Sequence, residues 1–340
     1  MVSEPVWDSL LAVSMASMNK PPTHAVIQGP LVRDLQSDIT KAAFLHALNA
    51  TRTCILDTHG AWSSQRGVDT ELYEALSSYV VGRDFNSAIY WLFVRLGKYI
   101  FTSSFTKEEF ESSLVPDLGA ALATDTNLQI PLPPLPPYVA DEDTETDPFA
   151  LSFCYANRPL WACARAIEFM HDEDPSLQCP PLHTWMQLVE ELDNWYQERP
   201  QGFQPMLELD VDNHLEMAQG FPVVLFANGA GVFSNQLYHT AMLLLLHSRP
   251  RTARIAHLRS ATMSPLWHAQ RICSIALNNE RRECWDPCLL ASFLTAAQRM
   301  THETQQQEVL LGLSNIQKVT GWDVGELLHG LRESWGFLES

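Results

Sequence analysis

The sequence predicts an all-α protein, either a multi-helix bundle or a layered domain of helical pairs, with one long loop rich in proline and acidic residues. Apolar residues recur at spacings of three and four along most of the chain, and alternating strand patterns are nearly absent. The 340 residues are 46% hydrophobic and 18% charged, which is the balance of a chain that buries a large core.

Helical periodicity occurs on both sides of the long loop. Three segments precede the loop: 39–56, 70–82 and 87–101. Seven follow it: 158–172, 184–199, 233–248, 265–279, 288–300, 303–321 and 324–338. Capping signals support several starts, because Thr70 precedes an acidic first turn, Ser264 precedes a proline, and Asp323 precedes the final apolar run.

The helix that begins at Thr184 contains two tryptophans ten residues apart. Its apolar residues share one helical face: Trp185, Leu188, Leu192 and Trp195. Because Pro200 disfavours the helical conformation of the residue before it, we expect this helix to end at Arg199. The pattern predicts a face packed on the core and requires no ligand.

Residues 128–149 interrupt the helical pattern with a proline-rich extended piece followed by a run of acids. A semi-rigid connector is favoured over a PxxP recognition motif. The two flanks have similar helical character, so we predict one helical domain over 1–340 rather than two. It comprises N-terminal helices in 1–127, the loop in 128–149 and C-terminal helices in 150–340.

Charge and cysteine usage exclude several classes of protein. The net charge of −18 argues against direct nucleic-acid binding, which relies on clustered lysine and arginine. The seven cysteines include no Cys-x-x-Cys pair, and Cys284 and Cys288 have no convincing partner, so we expect reduced thiols and no bound metal. The first twenty residues lack a signal-peptide pattern, and no apolar run is long enough to cross a membrane. We therefore expect a nuclear or cytoplasmic protein.

Catalytic motifs are also missing. The acids at 172–174 and 141–147 fall at a helix end and in the loop, which indicates solvated surface rather than the magnesium site of an isoprenoid cyclase. There is no nucleophile elbow or phosphate-binding glycine loop, and the glycine-dense stretch 228–233 is best interpreted as a helix entry. His239 and His268 are typical of hydrogen-bonded core histidines. No cofactor is predicted.

Five short patterns, in this order, resemble the helical regulatory domain of fungal zinc-cluster transcription factors. They are W-x-x-L-x-x-x-L-x-x-W-x-x-x-RP-x-x-F-x-P at 185–205, FP at 221–222, YH-x-A-x-LLL at 238–245, A-x-x-IC-x-IA at 269–276, and GWDVGELLHGLRESW at 321–335. The resemblance is clearest from about residue 155 onward. Upstream, AIYWLFVRLGKYI is similar to the family's Trp-x-x-x-Arg-Gln-Asp helix.

The chain departs from that family in two ways. Trp91 and Arg95 match the upstream helix, but Leu96 and Gly97 replace its Gln and Asp, which predicts an altered pocket or core there. Members of the family usually begin with a six-cysteine zinc cluster and a basic linker, and this sequence has neither. The chain is then either a naturally stand-alone protein or a piece of a longer regulator, and its initiator Met favours the former.

These observations leave three hypotheses open. The resemblance implies a stand-alone regulatory module. The module binds either a small hydrophobic effector or a partner protein, and that partner contacts DNA in its place. A second hypothesis is an enzyme of secondary metabolism that cyclises or isomerises a polyketide or terpenoid intermediate, and a third is a non-catalytic scaffold. A homodimer is compatible with all three. The candidate pocket residues, which are equally good candidates for core packing, are Trp91, Arg95, Trp195, Tyr238 and His239.

Overall fold

A computed structural model describes a large part of the chain: residues 48, 51–52, 54–63, 90–92, 94–95, 118–128, 132, 148–171, 181–209, 220–253 and 261–337. Several predictions lie outside these residues. They concern the helix 70–82, the acids 172–174, the replacements Leu96 and Gly97, and most of the proline- and acid-rich loop.

The described residues form an all-α fold, as predicted. Its α-helices, in chain order, are α1 (Thr58–Ser63), α2 (Leu118–Thr124), α3 (Pro148–His171), α4 (Pro181–Glu198), α5 (Gly229–His247), α6 (Pro265–Asn278), α7 (Pro287–Ala297), α8 (Glu303–Thr320) and α9 (Gly325–Ser334). Residues 90–92 and 94–95 are also helical, within the predicted segment 87–101. Among the described residues, no helix combines the length and apolar character that crossing a membrane requires.

The central element is α5, which is buried from Gly231 to Leu246. It packs most extensively on α3 and α6, and it also contacts α4 and α7. Asn228 caps its N-terminus, where the side chain accepts a hydrogen bond from the backbone of Gly231 at 2.7 Å. This confirms that the glycine-dense stretch is a helix entry. Because almost every residue of α5 is apolar or internally bonded, the other helices are arranged around it.

Capping residues set other boundaries. Ser264 caps α6, with Pro265 at its first position, as the sequence predicts. Asp323 lies one residue before the cap of α9, and its side chain accepts from the backbone of Gly325 at 3.0 Å. At the end of α8, Gly321 adopts the left-handed conformation with φ of 79°, which a residue with a Cβ adopts at a cost.

The predicted core face of α4 is confirmed. Its four apolar residues are at most 5% exposed: Trp185, Leu188, Leu192 and Trp195. The helix starts at Pro181 rather than Thr184 and ends at Glu198, one residue before Arg199. The Arg199 backbone still donates to the Trp195 carbonyl at 3.0 Å, so the last turn extends to the residue that the following proline predicts.

The start of α3 differs from the prediction. A helix was predicted over 158–172, but α3 begins ten residues earlier, at Pro148, and contains Pro159 in its interior. Proline cannot donate the hydrogen bond that would reach the carbonyl of residue 155, which is why Pro159 resembles a helix start in the sequence. In the structure, the Trp195 indole donates to the Tyr155 carbonyl at 3.0 Å. A tertiary contact thus satisfies this carbonyl within the helix.

The structure also contains two short strands that the sequence did not predict. Strands β1 (Leu207–Leu209) and β2 (Val223–Leu225) pair antiparallel, with Glu208 opposite Val224. Three residues are too few to produce a recognisable alternation. Asn279, which caps the end of α6, donates to the Val224 carbonyl at 2.9 Å and accepts from the Phe226 backbone at 3.0 Å. This side chain anchors β2 to α6.

Candidate functional site

The five candidate pocket residues lie in two separate places. Trp91 and Arg95, on the helical segment around residue 91, line a cavity of about 340 Å³. Trp195, Tyr238 and His239 instead lie in a packed cluster where α4, α5 and α6 meet, and none of them lines that cavity. The sequence analysis treated all five as lining one pocket. In the structure, the first two residues are close to each other and the other three form a separate cluster.

The second subset forms a closed aromatic cluster. The Tyr238 ring stacks on Tyr196 with ring centroids 4.5 Å apart, and it lies 5.6 Å from the Trp195 ring. Trp195, Tyr238 and His239 are at most 3% exposed. Burial raises the pKa of Tyr238, which keeps its hydroxyl neutral. Such dense packing leaves these side chains in the core rather than at an open site.

A buried histidine pair extends this cluster. Nδ1 of His239 lies 2.9 Å from Nδ1 of His268, and Nε2 of His268 lies 3.0 Å from the carbonyl oxygen of Thr262. A carbonyl only accepts, so Nε2 of His268 carries its proton and, in the neutral ring, Nδ1 accepts. His239 must then donate from Nδ1. The pair thus has one defined arrangement when both rings are neutral.

Both histidines are held neutral. Burial and the charge of Arg271 together lower the pKa of His268 from 6.5 to about 4, against the opposing effect of the hydrogen bond to the Thr262 carbonyl. Burial also lowers the pKa of His239 well below its ordinary value, with further contributions from His268, Arg271 and Arg199. A proton added to His268 would go on Nδ1 and face the Nδ1–H of His239, so this hydrogen bond requires a neutral His268. The pair is therefore a structural element at neutral pH.

The cavity that Trp91 and Arg95 line, hereafter the Arg95 cavity, has a mixed wall. Aromatic and aliphatic side chains form much of it: Trp91, Phe153, Phe233, Trp285 and Leu289. Its charged and amide groups come from Arg95, Asp286 and Asn157. Apolar walls with a few convergent polar groups are typical of sites that bind small molecules.

The charged groups of the Arg95 cavity form an ion pair. The Arg95 guanidinium donates to Oδ2 of Asp286, and it also lies over the Phe233 ring with its central carbon 4.4 Å from the ring centroid. The other oxygen of Asp286 accepts from the backbone of Cys288 at 2.8 Å, which caps α7. Asp286 therefore holds both the arginine and a helix start in place.

Sequence reasoning missed Trp285, Asp286 and Asn157. A signal was present for Asp286, because an aspartate directly before Pro287 is a typical helix cap. The sequence CWDPC drew attention only to its two cysteines. No sequence signal links Asp286 to Arg95, because the two residues are 191 positions apart.

A second cavity, of about 500 Å³, lies among α1, α2, α7 and α9. At its rim, Nδ1 of His59 lies 2.7 Å from the Glu326 carboxylate, and both side chains are about half exposed or more. None of the five candidate residues lines it. Because its polar groups are solvated, it has fewer features of a selective site than the Arg95 cavity.

Within the described ranges, no group of three or more histidine, cysteine or acidic side chains is placed to hold a metal ion. No family model, curated protein or solved structure matches this chain. The resemblance to fungal zinc-cluster regulators therefore stays a prediction drawn from the sequence.

Proposed function

We propose that this chain is an effector-binding regulatory protein, and that it binds a small hydrophobic molecule in the Arg95 cavity. The observation that carries the proposal is the cavity itself, with its volume of about 340 Å³, its aromatic walls and its ion pair. Cavities of roughly 300–1,000 Å³ with this composition are the usual sites for small ligands. The resemblance of the C-terminal helices to a regulatory domain supports the same assignment.

The proposed regulator acts through another protein. The net charge of −18 disfavours direct contact between these residues and a phosphate backbone. We therefore expect a DNA-binding partner to connect effector binding to transcription, in the nucleus or after assembly in the cytoplasm. The partner is a different protein, and it binds this chain either as a single copy or as a homodimer.

Deletion of the gene and complementation with variants test this proposal. Ala156→Phe places a large side chain against the Arg95 cavity, and Ala123→Phe makes the same change beside the second cavity. We expect transcripts of neighbouring genes to fall in the deletion strain. The wild type and Ala123→Phe should restore them, whereas Ala156→Phe should not. Soluble protein levels of both variants, measured by immunoblot, control for folding.

Other outcomes identify the alternatives. If transcripts are unchanged while a metabolic intermediate accumulates, the chain is an enzyme that folds its substrate in the cavity, and the regulatory proposal fails. If Ala156→Phe restores both transcripts and metabolites as well as the wild type does, the cavity has no role. A scaffold function would then account better for the protein.

A further inference from the structure

The Arg95 cavity is lined by side chains whose N–H groups have no acceptor. Six buried side-chain nitrogen and oxygen atoms of the described residues make no hydrogen bond, and three of them belong to residues that line this cavity: Nε1 of Trp91, Nε of Arg95 and Nε1 of Trp285. Trp91 is only 1% exposed. An unpaired buried donor costs on the order of 1–3 kcal/mol, so three around one cavity are unusual in a folded protein.

Most hydrogen-bond acceptors of the same cavity already have a donor. Each oxygen of Asp286 already accepts a hydrogen bond, one from Arg95 and one from the backbone of Cys288. Asn157 donates its amide N–H to the Phe153 carbonyl at 3.0 Å, which leaves its own oxygen as one further acceptor. The cavity therefore has a surplus of donors over acceptors.

The start of α5 adds to this surplus. Gly229 and Ala230 line the cavity, and they are the first two residues of a 19-residue helix. The backbone N–H groups in the first turn of a helix have no partner within that helix, and the Asn228 side chain accepts from Gly231 rather than from Gly229 or Ala230. The positive end of the helix dipole therefore lies at the wall that also carries the unpaired side-chain donors.

From this imbalance we propose that the Arg95 cavity selects an apolar molecule whose polar head is an oxygen acceptor, a carbonyl or a carboxylate. The aromatic walls contact the body of the ligand, and the indole and guanidinium N–H groups donate to its oxygen. Because these nitrogens are buried, their side chains must shift slightly to reach the ligand, and the new hydrogen bonds offset that cost. This inference rests on the proposed effector-binding function and narrows the class of effector.

Three probes with the same naphthalene body test the proposal. 1-Acetylnaphthalene carries a neutral carbonyl, naphthalene-1-carboxylate carries an anion, and 1-ethylnaphthalene has the shape of the acetyl compound without its oxygen. Equilibrium dialysis against the full chain measures each dissociation constant. We expect at least one acceptor probe to bind about tenfold more tightly than the ethyl compound. A ligand that accepts a hydrogen bond from a buried donor gains about this factor over a ligand that leaves the donor unpaired.

The comparison between the two acceptor probes distinguishes a carbonyl ligand from a carboxylate. Equal binding of all three probes overturns the inference about the polar head but leaves effector binding intact. If none binds at millimolar concentration, effector binding at this cavity fails as well. The two failures are therefore distinguishable without any mutation.

Matched tryptophan variants locate the effect. Trp285→Phe removes an indole N–H at the Arg95 cavity, and Trp335→Phe makes the same change at the second cavity. We expect Trp285→Phe to reduce the advantage of the acceptor probe over 1-ethylnaphthalene by about threefold to tenfold, and Trp335→Phe to leave it unchanged. If Trp335→Phe alone reduces it, the probes bind in the second cavity and the proposal is wrong.

Discussion

The Trp195 indole donates a hydrogen bond to the Tyr155 carbonyl at 3.0 Å, at the position in α3 where Pro159 has no N–H to donate. The other tryptophan of α4 has a similar role, because Trp185 donates to the Leu245 carbonyl at 2.6 Å near the C-terminal end of α5. Both indoles thus satisfy helix carbonyls that lack a normal helical donor. This explains why one short helix contains two buried tryptophans.

Replacing Trp195 by Phe should therefore lower the free energy of unfolding by about 2 kcal/mol, through the lost hydrogen bond and reduced packing. In a Pro159→Ala background the loss should be about 1 kcal/mol smaller, because alanine has the backbone N–H that proline lacks and can donate it to the Tyr155 carbonyl. Urea denaturation of the wild type, both single variants and the double variant measures this coupling. Additive losses would show that the indole does not substitute for the missing backbone donor.

Stability should fall as the pH is lowered from 6.5 toward 4. His268 binds a proton near pH 6.5 in the unfolded chain but only near pH 4 in the folded chain. The unfolded state therefore binds more protons between these two pH values. His268 alone then contributes up to about 3 kcal/mol of lost stability at the acidic end. Arg271 opposes protonation of both histidines, and His268 also opposes protonation of His239.

Urea midpoints at several pH values between 7 and 4.5 measure this dependence. His268→Gln is the matched control, because its amide can still donate to the Thr262 carbonyl but does not titrate. The variant should lose stability less steeply than the wild type over the same range. Equal slopes in the two proteins would assign the pH dependence to other groups.

The ion pair at the Arg95 cavity makes a separable contribution to stability. Asp286→Asn should cost about 1–2 kcal/mol, because it leaves the partly buried Arg95 without its anion but can keep the cap of α7. Asp286→Ala should cost about 1 kcal/mol more, since the cap is lost too. Chemical denaturation separates the two effects. A wild-type stability for Asp286→Asn would mean that the ion pair contributes nothing to folding in water.

Asn279 should contribute more to the free energy of unfolding than its neighbour Asn278. Asn279→Ala removes the hydrogen bonds to Val224 and Phe226 that anchor β2, and we expect a loss of about 2–3 kcal/mol. Asn278→Ala is the control, because that partly buried side chain only donates, to the carbonyls of Ser274 and Pro222. Thermal denaturation should rank the two variants clearly. Equal losses would contradict the anchoring role.

The sequence by itself determined the fold class, most boundaries of α4 to α9 and the buried face of α4, whereas α1 and α2 lie outside the predicted helical segments. These features depend on local physics, since a helical period and a capping residue act within one or two turns. The start of α6 is an example, because Ser264 caps the helix that directly follows it.

Only the tertiary structure decided what those helices bring together. It placed Trp91 and Arg95 at a cavity while it packed Trp195, Tyr238 and His239 into the core. It paired Arg95 with Asp286 across 191 residues of chain, and it satisfied the carbonyl that Pro159 leaves within α3. No local pattern encodes such contacts, because they depend on how distant segments pack against each other.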